Sequence, residues 1–241
     1  GDPFDYANIA RIASRGVFLL LSDSTYAETE GNSDSDRVVA ETLFKLIGDA
    51  PGRVFVASFA SQIARIQIVV DSAYAHARKV ALLGRSMVNL VKIAQELGHL
   101  DVPENLIISP AQAKSLPDNN IVFMTTGSQG EPQSALVRMS RGEHRAVDIK
   151  SGDTMIISAS PIPGNETAVH STHDELIRLG ARVIHSKSHL VHVHGHAQKD
   201  ELRSILNLIN PRYFVPIHGE YRMLRSHADI AIEQGMPEEN V

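Results

Sequence analysis

The chain has 241 residues, 43% of them hydrophobic and 21% charged, enough for one large or two small soluble domains. Its net charge of −5 argues against a protein that grips nucleic acid over its whole surface. There is no Cys for disulfides or thiolate metal sites, no apolar run long enough to cross a bilayer and no leader-like N-terminal pattern, so a cytoplasmic protein is expected.

Residues 17–21 are a continuous apolar run and read as a strand buried on both faces, followed by Ser22-Asp23-Ser24-Thr25 and an acidic loop of small residues. Asp34 or Ser35 can cap a helix that carries Val38, Val39, Thr42, Leu43, Leu46 and Ile47 on one side and stops at Gly48. Residues 54–58 and 80–83 read as strands, each followed by a helix, over 61–74 and 86–97. Residues 106–108 and 121–125 are short buried strands, the second running into Gly127-Ser128-Gln129-Gly130. A strand over 155–159 leads through Pro161-Ile162-Pro163-Gly164 into a helix ending at Leu179. The last part reads as a strand over 190–193, a helix over 199–210 with the stripe Leu202, Ile205, Leu206 and Ile209, a strand over 213–217, and a helix from Tyr221. Strands alternating with helices, without hairpin signals, predict α/β layers around a mostly parallel sheet, and the last three elements before Tyr221 predict a βαβ unit.

Charge is uneven. Between Gly52 and Gln95 stand Arg53, Arg65, Arg78, Lys79, Arg85 and Lys92 against one acid, Asp71, so this segment is +5 and the remainder −10. Such a lobe can guide a polyanion into one cleft, or it can be a solvated helix face balanced elsewhere in the fold. Five of the 12 His lie between His185 and His196, a density that suits metal or phosphate chemistry.

His196 and His218 each follow a predicted strand of the βαβ unit, and Asp23 follows the first strand. Parallel strands deliver their C-terminal ends to one edge, where open α/β sheets bind ligands. A carboxylate beside an imidazole can fix its tautomer and hold it ready to donate a proton to a leaving oxygen. The plainer reading of any one of these His is a structural residue at a strand end.

These residues resemble a family. Gly16-Val17-Phe18-Leu19-Leu20-Leu21-Ser22-Asp23-Ser24-Thr25 is similar to the stretch carrying motif A of β-CASP nucleases, His192-Val193-His194-Gly195-His196-Ala197 to motif B, and Val215-Pro216-Ile217-His218-Gly219-Glu220-Tyr221-Arg222-Met223 to motif C. Between them Phe59-Ala60-Ser61, Gly84-Arg85-Ser86-Met87-Val88-Asn89, Thr126-Gly127-Ser128-Gln129-Gly130-Glu131-Pro132 and Ser160-Pro161-Ile162-Pro163-Gly164-Asn165-Glu166 resemble ribonuclease J in the same order. The resemblance implies a β-CASP domain, at about 36–187, inserted into a partial metallo-β-lactamase αββα fold formed by 1–35 and 188–241. It implies a zinc-dependent ribonuclease that cuts single-stranded RNA, held between the two domains, as a 5′-to-3′ exonuclease and as an endonuclease, in a homodimer or tetramer.

Carried over by position, His218 is a ligand of one of two zinc ions, His196 meets the scissile phosphate, and Asp23 supports His196 as the acid. The H-x-H-x-D-H segment that holds most of the zinc is not in these 241 residues, so the chain alone is expected to bind zinc poorly and to be inactive. His194 stands where the family pattern has Ser, a small donor to phosphate; His there can replace the contact, block it, or add a metal ligand. On a strand, His192, His194 and His196 would share one face, with Gly195 interrupting it, and the expected RNA contacts begin with His192, His194 and Gly195. Further contacts are expected from Ser128 and Gln129 in the Gly-rich turn, from Phe59, Ser61 and Arg65 at one helix start, and from Arg85 and Ser86 at another. Each also has a structural reading, as a tight turn, a core Phe or a surface Arg. The alternatives are a non-catalytic RNA-binding β-CASP module and a Rossmann-like nucleotide domain, the latter disfavoured because no G-x-G-x-x-G follows the first strand.

Overall fold

The computed structural model describes residues 4–241. The chain begins with α1 (Tyr6–Ala13) and β1 (Leu19–Asp23). There follow α2 (Asp36–Asp49), β2 (Val54–Ala57), α3 (Ile63–Ala75), β3 (Lys79–Leu83), α4 (Arg85–Glu96), β4 (Ile107–Ile108), α5 (Pro110–Ala113), β5 (Ile121–Thr125), α6 (Ala135–Ser140), β6 (Thr154–Ile157), α7 (Glu166–Arg178) and β7 (Arg182–His185). It ends with α8 (Lys199–Ile209), β8 (Tyr213–Ile217) and α9 (Tyr221–Glu233). The residues form two compact units, one from those up to Ser35 together with His194–Val241, the other Asp36–Val193. The second junction falls six residues beyond the expected return at 187/188.

The larger unit is a six-stranded, all-parallel sheet in the order β4-β3-β5-β2-β6-β7. Strand alternation divides its apolar residues between two cores. Val54, Val56, Val80, Val122, Met124 and Ile156 pack with Val39 and Leu43 of α2, Ile66 and Val70 of α3 and Met87 of α4. Phe55, Ala57, Ala81, Phe123, Met155 and Ile157 face the other way, against Leu136 and Met139 of α6 and Leu176 of α7. The α/β class and parallel pairing are those expected from the alternation of elements. Gly48 does not stop α2, which runs on to Asp49; a Cβ there would come within 2.5 Å of the His76 ring, so close packing is what requires glycine. The edge strand β7 and the six-residue α6 are not among the elements expected from the sequence.

The smaller unit holds β1 and β8, paired in parallel with Asp23 opposite Ile217. One side of this pair, with Phe214, packs on Leu202 and Leu206 of α8 and Ile230 and Ala231 of α9. The other side leaves Leu19, Leu21, Val215 and Ile217 exposed, so the first strand is not buried on both faces, and it lies two residues later than the run at 17–21. The expected strand over 190–193 does not form, and the βαβ reading is corrected accordingly: the parallel partner of β8 is β1. The Val191 carbonyl accepts instead from the side chains of Arg65 and Ser158, which leaves no ladder for this segment to join.

Candidate active site

Because β1 and β8 run in parallel and in register, their C-terminal ends open on one edge. Asp23 closes β1 there, and His218 follows β8 in a left-handed backbone conformation, φ +54°, that ends the strand and brings the imidazole to the edge. The turn after Asp23 is tied to the turn after β8: the Ser24 amide donates to the Ile217 carbonyl at 2.9 Å and the Thr25 hydroxyl to the His218 carbonyl at 3.2 Å. His196 reaches the same edge from the segment preceding α8, which pairs through an isolated bridge between Tyr26 and Gln198.

Nδ1 of His196 lies 2.9 Å from Oδ2 of Asp23, and Nε2 of His218 lies 3.7 Å from the same oxygen. The two imidazoles stack at 5.7 Å between centroids. Partial burial raises the pKa of Asp23, but hydrogen bonds from Thr25 and the His196 ring outweigh it and hold the carboxyl below its usual range. Asp23 is therefore an anion that fixes one nitrogen of His196 and leaves Nε2 of that ring for a ligand. Among the described residues one group of this kind can hold a metal, Asp23, His196 and His218, with one ligand atom of each within 4.8 Å of the others.

In the larger unit, the loops after β2, β3 and β5 leave the same C-terminal edge of adjacent strands. They bring Phe59 and Ser61, Arg85 and Ser86, and Ser128 and Gln129 to that edge; Ser61, Arg85 and Ser86 are exposed and Phe59 is half-buried. Gln129 is buried and committed to the fold, its amide donating to the Ser160 carbonyl at 2.9 Å and its oxygen accepting from Ile162 N–H at 2.7 Å, and Ser128 is buried beside it. Gly127 and Gly130 have positive φ, and a Cβ on Gly130 would come within 2.8 Å of the Ala168 backbone, so this turn needs glycine for its own shape.

Arg65 calls for the clearest correction. It is 4% exposed, and its guanidinium donates to Ser158 Oγ, the Val191 carbonyl and Asp36 Oδ1. Buried there, it braces the fold in place of the RNA contact expected of it. The basic segment around it dissolves in the same way: Arg53 pairs with buried Asp153, Arg78 donates to the Ala50 and Gly52 carbonyls, and Lys79 to that of Asn105. Arg85 stays exposed. His192, His194 and His196 do not line one face of a strand, since the segment is not a strand; His194 bonds Tyr26, His196 bonds Asp23, and Gly195 lies exposed between them.

A model of the family described as "Ribonuclease J, beta-CASP domain" matches residues 51–176, more than half of the chain. The chain belongs to the ribonuclease J β-CASP family. A second model, described as "Zn-dependent metallo-hydrolase RNA specificity domain", matches residues 180–240. Ribonuclease J of Mycolicibacterium smegmatis is 46% identical over all 241 residues, and that of Synechocystis sp. 45% over the same length. Ribonuclease J of Thermus thermophilus is 45% identical over 233 residues, 97% of the chain. The chain spans about two fifths of the length of these relatives, 43%, 38% and 40% respectively. The metallo-hydrolase description implies a metal, and an Asp and two His are a donor set that suits zinc.

Two groups of this ribonuclease J family chain were not foreseen: Tyr26, three residues after Asp23, and His227 on α9. His227 is fully buried against Phe214, with Nδ1 3.0 Å from Ser24 Oγ, so it supports the turn that follows Asp23. Burial pushes its pKa down from 6.5 to about 4, despite the opposing effect of Asp23. The unfolded chain therefore takes up this proton first, and stability falls as pH drops from about 6.5 to about 4, by about 3 kcal/mol at most. The chain has no Trp, so urea midpoints read by circular dichroism at pH 7 and pH 4.5 give the measure. His227→Leu is expected to lose less stability on acidification than the unaltered chain; equal losses would remove His227 as the cause.

Proposed function

We propose that this chain supplies the β-CASP unit and part of the catalytic edge of a metal-dependent ribonuclease that hydrolyses phosphodiester bonds of single-stranded RNA. What carries the reading is the 2.9 Å contact of His196 with Asp23, beside His218. In it Asp23, an anion, keeps the proton on Nδ1 of His196 while Nε2 delivers a proton to the leaving oxygen. His218 holds a zinc ion, one of two. Zinc, when bound, supplies an activated hydroxide and neutralises phosphate charge. Arg85, Ser86, Ser61 and Phe59 are the proposed contacts for the RNA strand at the edge of the larger sheet, through charge, hydroxyls and stacking. His192, His194 and Gly195 remain proposed substrate neighbours of His196. The family resemblance further supports a cytoplasmic dimer or tetramer acting as both exonuclease and endonuclease.

With His196 and Asp23 engaged as the acid pair, His218 alone falls well short of the roughly four ligands of a zinc site. The 241 residues alone are therefore expected to bind zinc weakly and to leave RNA intact. The protein produced from its own coding sequence is expected to cut single-stranded RNA, to lose this with a chelator and to regain it with zinc. RNA cleavage that survives exhaustive chelation, or none at any metal concentration, contradicts the proposal. A chain that binds RNA without cutting it in either form supports the non-catalytic module instead.

A further inference from the structure

Behind the edge that carries Asp23 and His218 lies a buried polar pair. Ser24 and His227 are both fully enclosed, with Oγ of Ser24 3.0 Å from Nδ1 of His227. His227 belongs to α9 and sets its ring edge-on to Phe214 of β8, 4.8 Å between centroids. Ser24 stands between Asp23 and Thr25, whose amide holds the Asp23 carboxylate at 2.8 Å. Its own amide donates at 2.9 Å to the carbonyl of Ile217, the residue before His218. A Cβ on Gly219 would come within 3.5 Å of the Ser24 Cβ, so the turn after β8 lies against the same residue. One buried serine thus joins the turn that bears Asp23 to the turn that bears His218, and α9 holds that serine through His227.

An imidazole is a costly side chain for this place. Nε2 of His227 is buried, and no protein group among the described residues bonds it. This holds for either neutral tautomer: a protonated Nε2 is a donor without an acceptor, and a bare one is an acceptor without a donor. Leaving such a group unpaired costs as much as one neutral hydrogen bond contributes, or more. An aliphatic side chain packed on Phe214 would avoid that cost, and Ser24 Oγ would keep the Ser22 carbonyl, 3.5 Å away, as its acceptor. Departures of this kind from the most stable choice are expected where a functional site depends on them. We propose, resting on the nuclease reading above, that His227 is a positioning residue for RNA cleavage, which through Ser24 holds the Asp23 carboxylate and the His218 turn in register with His196 at the expense of stability. The plainer role is a core residue of the smaller unit, on which stability would depend and turnover would not.

In the protein produced from its own coding sequence, His227→Leu is expected to lower kcat about 5- to 10-fold, with KM within about twofold, the worth of one neutral hydrogen bond. His227→Asn, whose amide can take the place of Nδ1 beside Ser24, is expected to recover most of the loss. Combined with Ser24→Ala, His227→Leu is expected to add little, because it acts through Ser24. In the 241-residue chain the urea midpoint of His227→Leu at pH 7 is expected to be no lower than that of the unaltered chain. An unchanged kcat, full additivity with Ser24→Ala, or a lowered midpoint for His227→Leu overturns the proposal. The His196 ring gives a reading that needs no cleavage. Long-range nitrogen–proton NMR on the 241-residue chain is expected to show it as Nδ1–H, giving way to a mixture in His227→Leu. A pattern indifferent to that substitution overturns the positioning role whether or not the protein cuts RNA. A changed pattern in a protein that cuts no RNA overturns the nuclease reading and leaves the coupling of His227 to Asp23 and His196 standing.

Discussion

Replacing His196 with Ala is expected to lower kcat for RNA cleavage by about 10²- to 10⁴-fold while RNA affinity changes little, the range for losing a positioned acid. The imidazole is anchored by Nδ1 at 2.9 Å to an Asp23 carboxylate that is itself held by the Thr25 amide at 2.8 Å, so Nε2 is aimed by two successive hydrogen bonds. Such a group acts where charge develops on the leaving oxygen, in the transition state more than in the bound substrate. Asp23→Asn tests the same device: it preserves the shape but presents an amide that no longer fixes the tautomer, so kcat should fall with KM nearly unchanged. The measurement is single-turnover cleavage alongside equilibrium RNA binding, in the protein made from its own coding sequence. Weakened binding with intact turnover would make His196 a binding residue and end the acid assignment.

Arg65→Ala is expected to destabilise the larger unit by about 3 kcal/mol, near the low end for removing one member of a buried ion pair. The guanidinium is almost wholly buried, whereas its partner Asp36 is 39% exposed and can return to water, which moderates the loss. What cannot be recovered is the brace. One side chain joins the start of α2, the Ser158 hydroxyl just past β6, and the Val191 carbonyl. Arg65→Lys should recover only part, since an ammonium lacks the planar fork that reaches three acceptors at once. Denaturant unfolding of the chain gives the stability change, and the salt dependence of RNA binding gives the control. Unchanged stability with a salt slope shallower by about one would return Arg65 to the RNA path.

The contrast between His196 and Arg65 shows what a linear reading can recover. Residues 213–217 and 121–125 are read correctly because a strand buried on at least one face leaves a local apolar signature, and the helices that follow β2, β3 and β6 are legible for the same reason. Asp23 and His218 are legible too, since each ends a strand next to a distinctive turn. The strand expected over 190–193 shows the opposite case: its alternation of Leu, His and Val satisfies the pattern, but a strand also requires a partner, and the side chains of Arg65 and Ser158 take the Val191 carbonyl.

By itself the sequence determined the α/β class, most strands and helices, and which Asp and His residues stand at or just after predicted strand ends, because these depend on periodicity and on short motifs with neighbouring residues. Only the tertiary structure decided that β1, nearly 200 residues away along the chain, and not residues 190–193, is the parallel partner of β8, which is how the expected meeting of Asp23, His196 and His218 on one edge comes about. It also decided which cations face water: Arg65 and Arg78 are buried by hydrogen bonds to acceptors between 26 and 126 residues distant, and Arg85 is left exposed. Charge counted along a chain is blind to burial, since the cost of desolvating a guanidinium is met by acceptors that only the fold brings within reach.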